Sequence, residues 1–426
     1  MKTARPYQQQ AIEYMRGYNT YLCDDCGLGK TFTSLRTLND LGTAQRHNLV
    51  ICRKTARLQW QEEILEEMPG VDVVFTDRVP YDFRANPAWY ITYYNEINPN
   101  GILYTLGKVV WDGIILDEAH KIKNYHTQRS KHIVSLVGAR KIALSATPIE
   151  KHGGELWPVL KWLDREYFPS YWKWVESMFE VSPGLYGGID IGDPLDRDAY
   201  IREVSPYIIK RSKKQVDPDL PERVDITVPI EMGDEETKAW VELYAQRDVL
   251  VKIQDVELLI ENALALHTRL HQLSVLPSLL GLDIKSSKFE WLKEFVEDHP
   301  DMRLVVFTRY NGVVQEVKRL FNAFVVAAGV DESQRFKKGD GNMLVGTIDS
   351  MSESLSLEMA DAAIFMDQHW SSTQMRQAVD RIHRMNITEK KFVYYLTSSP
   401  TDDRVMDVVS GKVELQQMLL NFVHGK

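Results

Sequence analysis

The run Asp24-Asp25-Cys26-Gly27-Leu28-Gly29-Lys30-Thr31 puts two glycines, a lysine and a threonine into one short loop. A triphosphate must be met by several backbone N–H groups at once, and glycine permits the close approach and the dihedrals this demands. Lys30 would then sit on the β and γ phosphates, and Thr31 would bind magnesium. Further along, the apolar run Ile114-Ile115-Leu116 ends in Asp117-Glu118-Ala119-His120. Carboxylates at the carboxyl end of a buried strand face the ligand crevice of an open α/β sheet. There Asp117 would coordinate magnesium, through water, and Glu118 would orient or deprotonate the attacking water. Together the two stretches imply hydrolysis of a nucleoside triphosphate.

A third stretch, Gln377-Ala378-Val379-Asp380-Arg381-Ile382-His383-Arg384, carries two arginines three residues apart. On a helix they share a face. An arginine placed on the developing charge of phosphoryl transfer raises the rate by about 10³ to 10⁵. Two basic strips stand out as well. Lys121, Lys123, Arg129 and Lys131 lie with His126 and His132 just past the acidic motif, and Lys210-Arg211-Ser212-Lys213-Lys214 forms the second. Such strips supply sequence-independent contacts to nucleic-acid phosphates, with a solvated surface patch as the competing reading. Cys23 and Cys26 have metal-ligand spacing but no second pair, so a buried Cys23 and a loop Cys26 are expected. His267 and His271 lack the glutamate of a zinc protease, which leaves them a surface or packing role.

The elements that must position these residues are legible from apolar runs. Thr20 to Cys23, Asn48 to Cys52, Val71 to Phe75, Trp89 to Tyr93, Gly113 to Leu116 and Lys141 to Leu144 read as strands. Helical stretches lie between several of them, which implies a parallel sheet covered on both faces. From Gly154 to about Pro206 the chain is rich in tryptophan, tyrosine and proline and reads as a helical insertion, irregular from Ser182 to Pro194. Its tryptophans Trp157, Trp162, Trp172 and Trp174 are expected in the core. Residues 234–276 read as helical. Strand runs resume at Leu304 to Phe307, Phe324 to Ala327, Met343 to Gly346, Ala362 to Met366 and Phe392 to Leu396.

Bulk composition bounds the answer. The 426 residues are 44% hydrophobic and 26% charged, an ordinary soluble composition large enough for several domains. No apolar run has the length of a membrane span, and no secretory signal opens the chain. Three cysteines make no disulfide framework and fit a reducing compartment. The net charge of −9 does not advertise a nucleic-acid binder, but local charge along a groove decides that.

The order of these stretches resembles the helicase superfamily 2 motors, and more closely the Snf-type, chromatin-remodeller-like DNA translocases. Arg5-Pro6-Tyr7-Gln8 is similar to the adenine-reading segment, with Gln8 as the base contact. Asp24 to Thr31 is similar to the family's phosphate loop. Leu49 to Cys52 with Trp60 and Glu63, then Ile91-Thr92-Tyr93-Tyr94, resemble the next two motifs. Asp117 to Asn124 resembles the DEAH-type box with the extension typical of this branch. Ser145-Ala146-Thr147-Pro148 and Glu155-Leu156-Trp157 resemble the coupling motif and the start of a helical protrusion; Ile209 to Val216 and Leu220-Pro221 resemble the segment that leaves it. Ser287-Lys288 and Val305-Val306-Phe307 resemble the start of the second lobe, and Gln377 to Arg384 the final arginine motif. Asp24 departs from the general phosphate-loop motif, which has glycine there, and the chain departs from the family pattern at Ser145-Ala146, at Asp380, and at Thr347 to Ser354, where a glycine-rich stretch is usual.

The resemblance implies an α/β fold of two RecA-like parallel-sheet lobes in tandem with helical insertions between them. The expected parts are lobe one over residues 1–150, a helical protrusion over 151–206, a linker and second helical segment over 207–284, and lobe two over 285–426. It implies ATP and Mg²⁺ in the cleft between the lobes. Lys30, Glu118, Arg381 and Arg384 would act in catalysis. Gln8, Gly27, Leu28, Gly29, Lys30 and Thr31 would bind the nucleotide, and Thr31 and Asp117 the magnesium. Lys121, Lys123, Lys210, Arg211 and Lys213 would touch nucleic acid. The implied activity is ATP-driven translocation on double-stranded DNA in an intracellular setting, with a bacterial or viral source suggested by the compact size. Two other readings stay open: an unwinding enzyme for RNA or single strands, and a partner-dependent nucleotide switch that no nucleic acid stimulates.

Overall fold

Strands that are apolar on both faces are stable only where helices cover both sides, and the apolar runs of the first half take up that arrangement. The computed structural model describes residues 3–78, 87–97, 106–107, 109–183, 189–245, 250–253, 256–259, 263–327, 329–351, 355–369, 371–385, 387–402 and 406. They fall into two compact units, the first within Met1–Pro218 and the second within Asp219–Gly411.

In the first unit the strands are β1 (Thr20–Leu22), β2 (Asn48–Cys52), β3 (Val73–Phe75), β4 (Trp89–Tyr93), β5 (Trp111–Asp117) and β6 (Gly138–Leu144). A hairpin follows, β7 (Phe179–Pro183) with β8 (Ile189–Pro194), and then the short β9 (Ile208–Ile209). Among the described residues the main sheet has the order β3-β4-β2-β5-β6-β1-β9, and every neighbouring pair is parallel. Alternate residues of β5 serve opposite faces. Ile114 and Leu116 join the cluster that holds Trp162 and Trp174 of the insertion, whereas Ile115 packs with Leu38 and Trp60. Trp162 and Trp174 are buried in this core, as expected, whereas Trp157 and Trp172 are half-buried against it.

The hairpin was not expected. Residues 179–194 carry Pro183, Gly192 and Pro194, which read as loop, yet prolines sit comfortably at the ends of a ribbon whose edges are unpaired.

The second unit holds β10 (Arg223–Pro229), the antiparallel pair β11 (Leu250–Ile253) and β12 (Val256–Leu259), then β13 (Leu304–Thr308), β14 (Phe324–Ala327), β15 (Val330–Asp331), β16 (Met343–Thr347), β17 (Ala362–Phe365) and β18 (Lys391–Thr397). The order of its main sheet is β10-β18-β17-β13-β16-β14-β15, parallel except for β14 with β15. The pair β11–β12 lies inside residues 234–276, read from the sequence as helical. Short apolar runs do not distinguish helix from strand by period, and that ambiguity explains the difference.

A charged network is buried where β13, β17 and β18 end. The Lys288 ammonium donates to the Met366 carbonyl at 3.1 Å and to Asp402 Oδ2 at 2.9 Å. Both Lys288 and Asp402 have no exposed surface. His271 Nε2 lies 3.4 Å from Asp402 Oδ1, and burial pushes its imidazole down to about 3. Removing one partner of a buried ion pair strands the other charge, at a cost of about 3–5 kcal/mol. Asp402→Ala is therefore expected to lower the unfolding free energy of the second unit by that amount, and Lys288→Met/Asp402→Leu by much less. Chemical denaturation of both variants checks this. Equal losses would show that the pair's charge is immaterial.

Candidate ATP site

The phosphate loop forms where β1 runs out. Gly27 and Gly29 take φ of +86° and +75°, left-handed values that favour glycine. Gly29 is the N-cap of the helix Lys30–Asp40. A Cβ there would come within 2.5 Å of Gln8 Nε2, so a side chain would displace the Gln8 amide as well as meet the strained φ. Gln8 belongs to the helix Pro6–Gly17 and braces the loop directly. Its Nε2 donates to the Leu28 carbonyl at 3.1 Å, and the Tyr7 hydroxyl donates to the same oxygen at 2.9 Å. The Lys30 ammonium donates to the carbonyls of Asp24 at 2.7 Å and Asp25 at 3.2 Å. Burial works against its charge, but Cys26, Glu118, Asp24 and Asp25 outweigh that and hold its pKa above the usual lysine value. The loop thus carries a firmly protonated lysine beside a helix N-terminus, a combination suited to a phosphate group.

Asp117 closes β5, next to β2 and β6. Trp60 Nε1 donates to Asp117 Oδ2 at 3.0 Å, and the Tyr94 hydroxyl donates to the Asp117 carbonyl at 2.7 Å. Burial raises the Asp117 pKa, the adjacent Glu118 raises it further, and the indole bond opposes both. Glu118 shows the opposite balance. Burial would raise it, but His120, Arg53 and Lys30 together pull it below the usual range. Glu118 also has φ +53° and ψ 51°, a left-handed conformation that costs a non-glycine residue about 1–2 kcal/mol. His120 Nδ1 lies 3.3 Å from Glu118 Oε2 and 3.0 Å from Ser145 Oγ, which in turn accepts the Thr147 N–H at 3.1 Å. The residue after the acidic strand is thereby tied to the Ser145–Pro148 stretch that follows β6.

Lys30, Asp117 and Glu118 lie within electrostatic reach of one another. Among the described residues no group of three or more His, Cys, Asp or Glu side chains could hold a metal by itself. The Thr31 hydroxyl and the Asp117 carboxylate are hard oxygen donors. So small a set fits magnesium, which is held by one or two carboxylates together with substrate phosphates and water.

Most of the second basic strip is buried, and of its four cations only Lys214 is exposed. Lys210, Arg211 and Lys213 are 1%, 9% and 5% exposed. Lys210 donates to the Ala146 carbonyl at 3.4 Å, and Arg211 pairs with Asp24. Three of the five cations expected on nucleic acid are thus withdrawn into the first unit, because β9 lies alongside β1 and carries them inward. Lys123 pairs with Glu150, whereas Lys121 and Lys131 are exposed.

In the second unit the helix expected to carry both arginines ends early. It spans Ser372–Val379 with Asp380 as C-cap. Arg381 to Arg384 form successive turns that bury Ile382, so the pair does not share a helix face. The Arg381 carbonyl accepts the Leu357 N–H at 2.9 Å, and Arg384 Nη2 donates to the Leu355 carbonyl at 2.9 Å. Of the stretch Thr347 to Ser354, residues 352–354 lie outside the described residues; before them, Thr347 Oγ1 accepts the Ser350 N–H at 3.2 Å. Arg53, just past β2, was not singled out from the sequence. A cation directly after a strand's carboxyl end was the signal available.

The comparisons with known proteins give the family of the chain. A model of the SNF2-related domain matches residues 7–279, and one of the helicase conserved C-terminal domain matches residues 287–386. Among curated relatives, a protein of Bacillus subtilis named as a candidate ATP-dependent helicase/translocase, YwqA, is 24% identical over 98% of this chain and 49% of its own length. The chromatin structure-remodeling complex subunit snf21 of Schizosaccharomyces pombe is 21% identical over 96% of this chain and 39% of its own. The chain thus spans half or less of the length of these relatives. A solved structure, the SWI2/SNF2 ATPase core of Sulfolobus solfataricus in complex with dsDNA, has 23% identity, covers 97% of this chain and 92% of that one, and has a TM-score of 0.49. The first family model alone spans more than half of the sequence, and the chain therefore belongs to the SNF2-related family, with a helicase C-terminal domain after its SNF2-related domain.

Proposed function

We propose that this chain is an ATP-driven motor that moves along double-stranded DNA. The observation that carries the reading is the convergence of Lys30, Asp117 and Glu118 at the carboxyl ends of β1 and β5. Family membership and the names of the relatives support it. In this mechanism Gln8 reads the base and steadies the loop, Gly27, Leu28 and Gly29 shape it around the phosphates, and Lys30 neutralises the β and γ oxygens. Thr31 and Asp117 would hold magnesium, which would supply Lewis-acid charge to the phosphates. Glu118 orients the attacking water. Arg381 and Arg384 of the second unit supply guanidinium groups to the terminal phosphate during turnover. Lys121 and Lys123 are the remaining contacts to the DNA backbone. The three cysteines are free, consistent with a reducing compartment, and among the described residues no helix is long and apolar enough to cross a membrane.

The test is ATP turnover in the presence of duplex DNA, single-stranded DNA and RNA. Strong stimulation by the duplex supports the reading. Stimulation by RNA or single strands alone replaces it with an unwinding enzyme, and no stimulation by any of them replaces it with a partner-dependent switch. A second expectation concerns Arg384. If its guanidinium stabilises the charge that develops on the terminal phosphate, Arg384→Ala should lower kcat by about 10³-fold or more while changing nucleotide affinity little. An equal loss of both, in single-turnover and binding measurements, contradicts a transition-state role.

A further inference from the structure

Asp24 occupies the place where the wider phosphate-loop pattern has glycine, and its carboxylate is 1% exposed. A buried carboxylate needs a partner, and Arg211 provides it. Arg211 Nε donates to Asp24 Oδ1 at 3.0 Å, and its Nη2 donates to Oδ2, a two-pronged pairing. Its remaining nitrogen, Nη1, donates to the Tyr7 carbonyl, and the guanidinium carbon lies 5.0 Å from the Tyr7 ring centroid. One side chain thus grips both the loop and the helix that braces it.

The backbone follows the same course. Cys23 N–H donates to the Ile209 carbonyl at 2.6 Å and Asp25 N–H to the Arg211 carbonyl at 3.0 Å, so the ladder between β1 and β9 continues into the loop. Lys213 N–H donates to Asp25 Oδ2 at 3.2 Å. Asp24 joins the two ends of the device, since its carbonyl accepts from Lys30 while its carboxylate is held by Arg211.

We propose that Arg211 is a positioning residue of the nucleotide site: it fixes, through Asp24 and Tyr7, the loop from which Lys30 reaches the phosphates. The assignment rests on the proposed ATP site and adds to it a residue more than one hundred and eighty positions away in sequence. It replaces the expectation that Arg211 contacts nucleic acid.

The test compares Arg211→Ala, Arg211→Lys and the double variant Arg211→Ala/Asp24→Asn. Titration with a fluorescent ATP analogue and magnesium reads affinity. Hydrogen–deuterium exchange of residues 23–31 in nucleotide-free protein reads the loop itself. Arg211→Ala should weaken nucleotide binding by about tenfold or more and raise loop exchange, with a smaller change in turnover at saturating ATP. Arg211→Lys should fall between, because an ammonium cannot engage both carboxylate oxygens and the Tyr7 carbonyl. The double variant should recover most of the loss, since it leaves no unpaired buried charge.

A folded Arg211→Ala with affinity and loop exchange like the parent overturns the proposal. So does an effect confined to duplex DNA binding. If Arg211→Ala fails to fold, Arg211→Lys and the double variant decide between the same outcomes. If the parent protein binds no ATP, the functional reading fails on its own, and loop exchange still judges the clamp.

Discussion

Glu118→Gln is expected to bind ATP with near-parental affinity and to lose turnover. The substitution keeps shape and removes charge. In the protein that charge is well defended, because His120, Arg53 and Lys30 surround the carboxylate and hold it ionised far below neutral pH. A group so acidic is a poor proton acceptor at rest. In the proposed mechanism it fixes a water by a charged hydrogen bond and receives the proton late, as charge moves onto the phosphate. The left-handed backbone at Glu118 aims the side chain away from the strand direction, and the protein tolerates that strain where β5 ends. A neutral amide presents an N–H as readily as an oxygen, so the water loses its orientation. The expected fall in kcat is about 10² to 10⁴-fold, read in a phosphate-release assay at saturating ATP. Retained turnover on nuclease-free, homogeneous protein would remove Glu118 from the mechanism.

Lys30→Ala should act differently, through both binding and rate. The ammonium now rests on the carbonyls of Asp24 and Asp25, and it has to exchange these for phosphate oxygens. Cys26, Glu118, Asp24 and Asp25 together outweigh burial and hold its pKa above the usual lysine value, so in the proposed site it meets the phosphates protonated. Preorganised donors aimed at developing charge contribute about 10² to 10³ each in rate. Lys30→Ala also removes the cation that the loop carbonyls of Asp24 and Asp25 hold near Glu118, which should weaken triphosphate binding. The expected result is a loss in kcat/KM larger than the loss in kcat. Isothermal titration with a non-hydrolysable analogue, together with turnover, separates the two. Wild-type kinetics in this variant would refute the site.

Much of this was legible in the chain, and the exceptions share a physical origin. β2, β4, β5, β13, β16 and β17 carry apolar runs that alternate along the chain with helical stretches, the pattern of a parallel sheet covered on both faces. Gly27, Gly29, Lys30, Asp117 and Glu118 are close in type to the chemistry they serve. The hairpin β7–β8 and the pair β11–β12 escaped because they are short and interrupted by proline, glycine or polar residues. β10 could have been found, for Val224, Ile226 and Val228 alternate with polar residues over its whole length. Arg211 could not. A cluster of cations reads as a surface strip unless one knows that the Asp24 carboxylate, far upstream, is buried against Arg211. Arg381 and Arg384 kept their spacing but lost their helix, because Ile382 between them is drawn into the core. Spacing alone could not show this.

The central claim is that the loop of the first unit and the arginine turn of the second serve one nucleotide. It is tested most directly by a structure of the protein with duplex DNA, magnesium, ADP and a fluoride mimic of the transferred phosphate. The account predicts the mimic in hydrogen-bond contact with Lys30, a water or fluoride held by Glu118, and the guanidinium of Arg381 or Arg384 on the same group. A mimic bound away from Gly27–Thr31, or met by no arginine of the second unit, would contradict it.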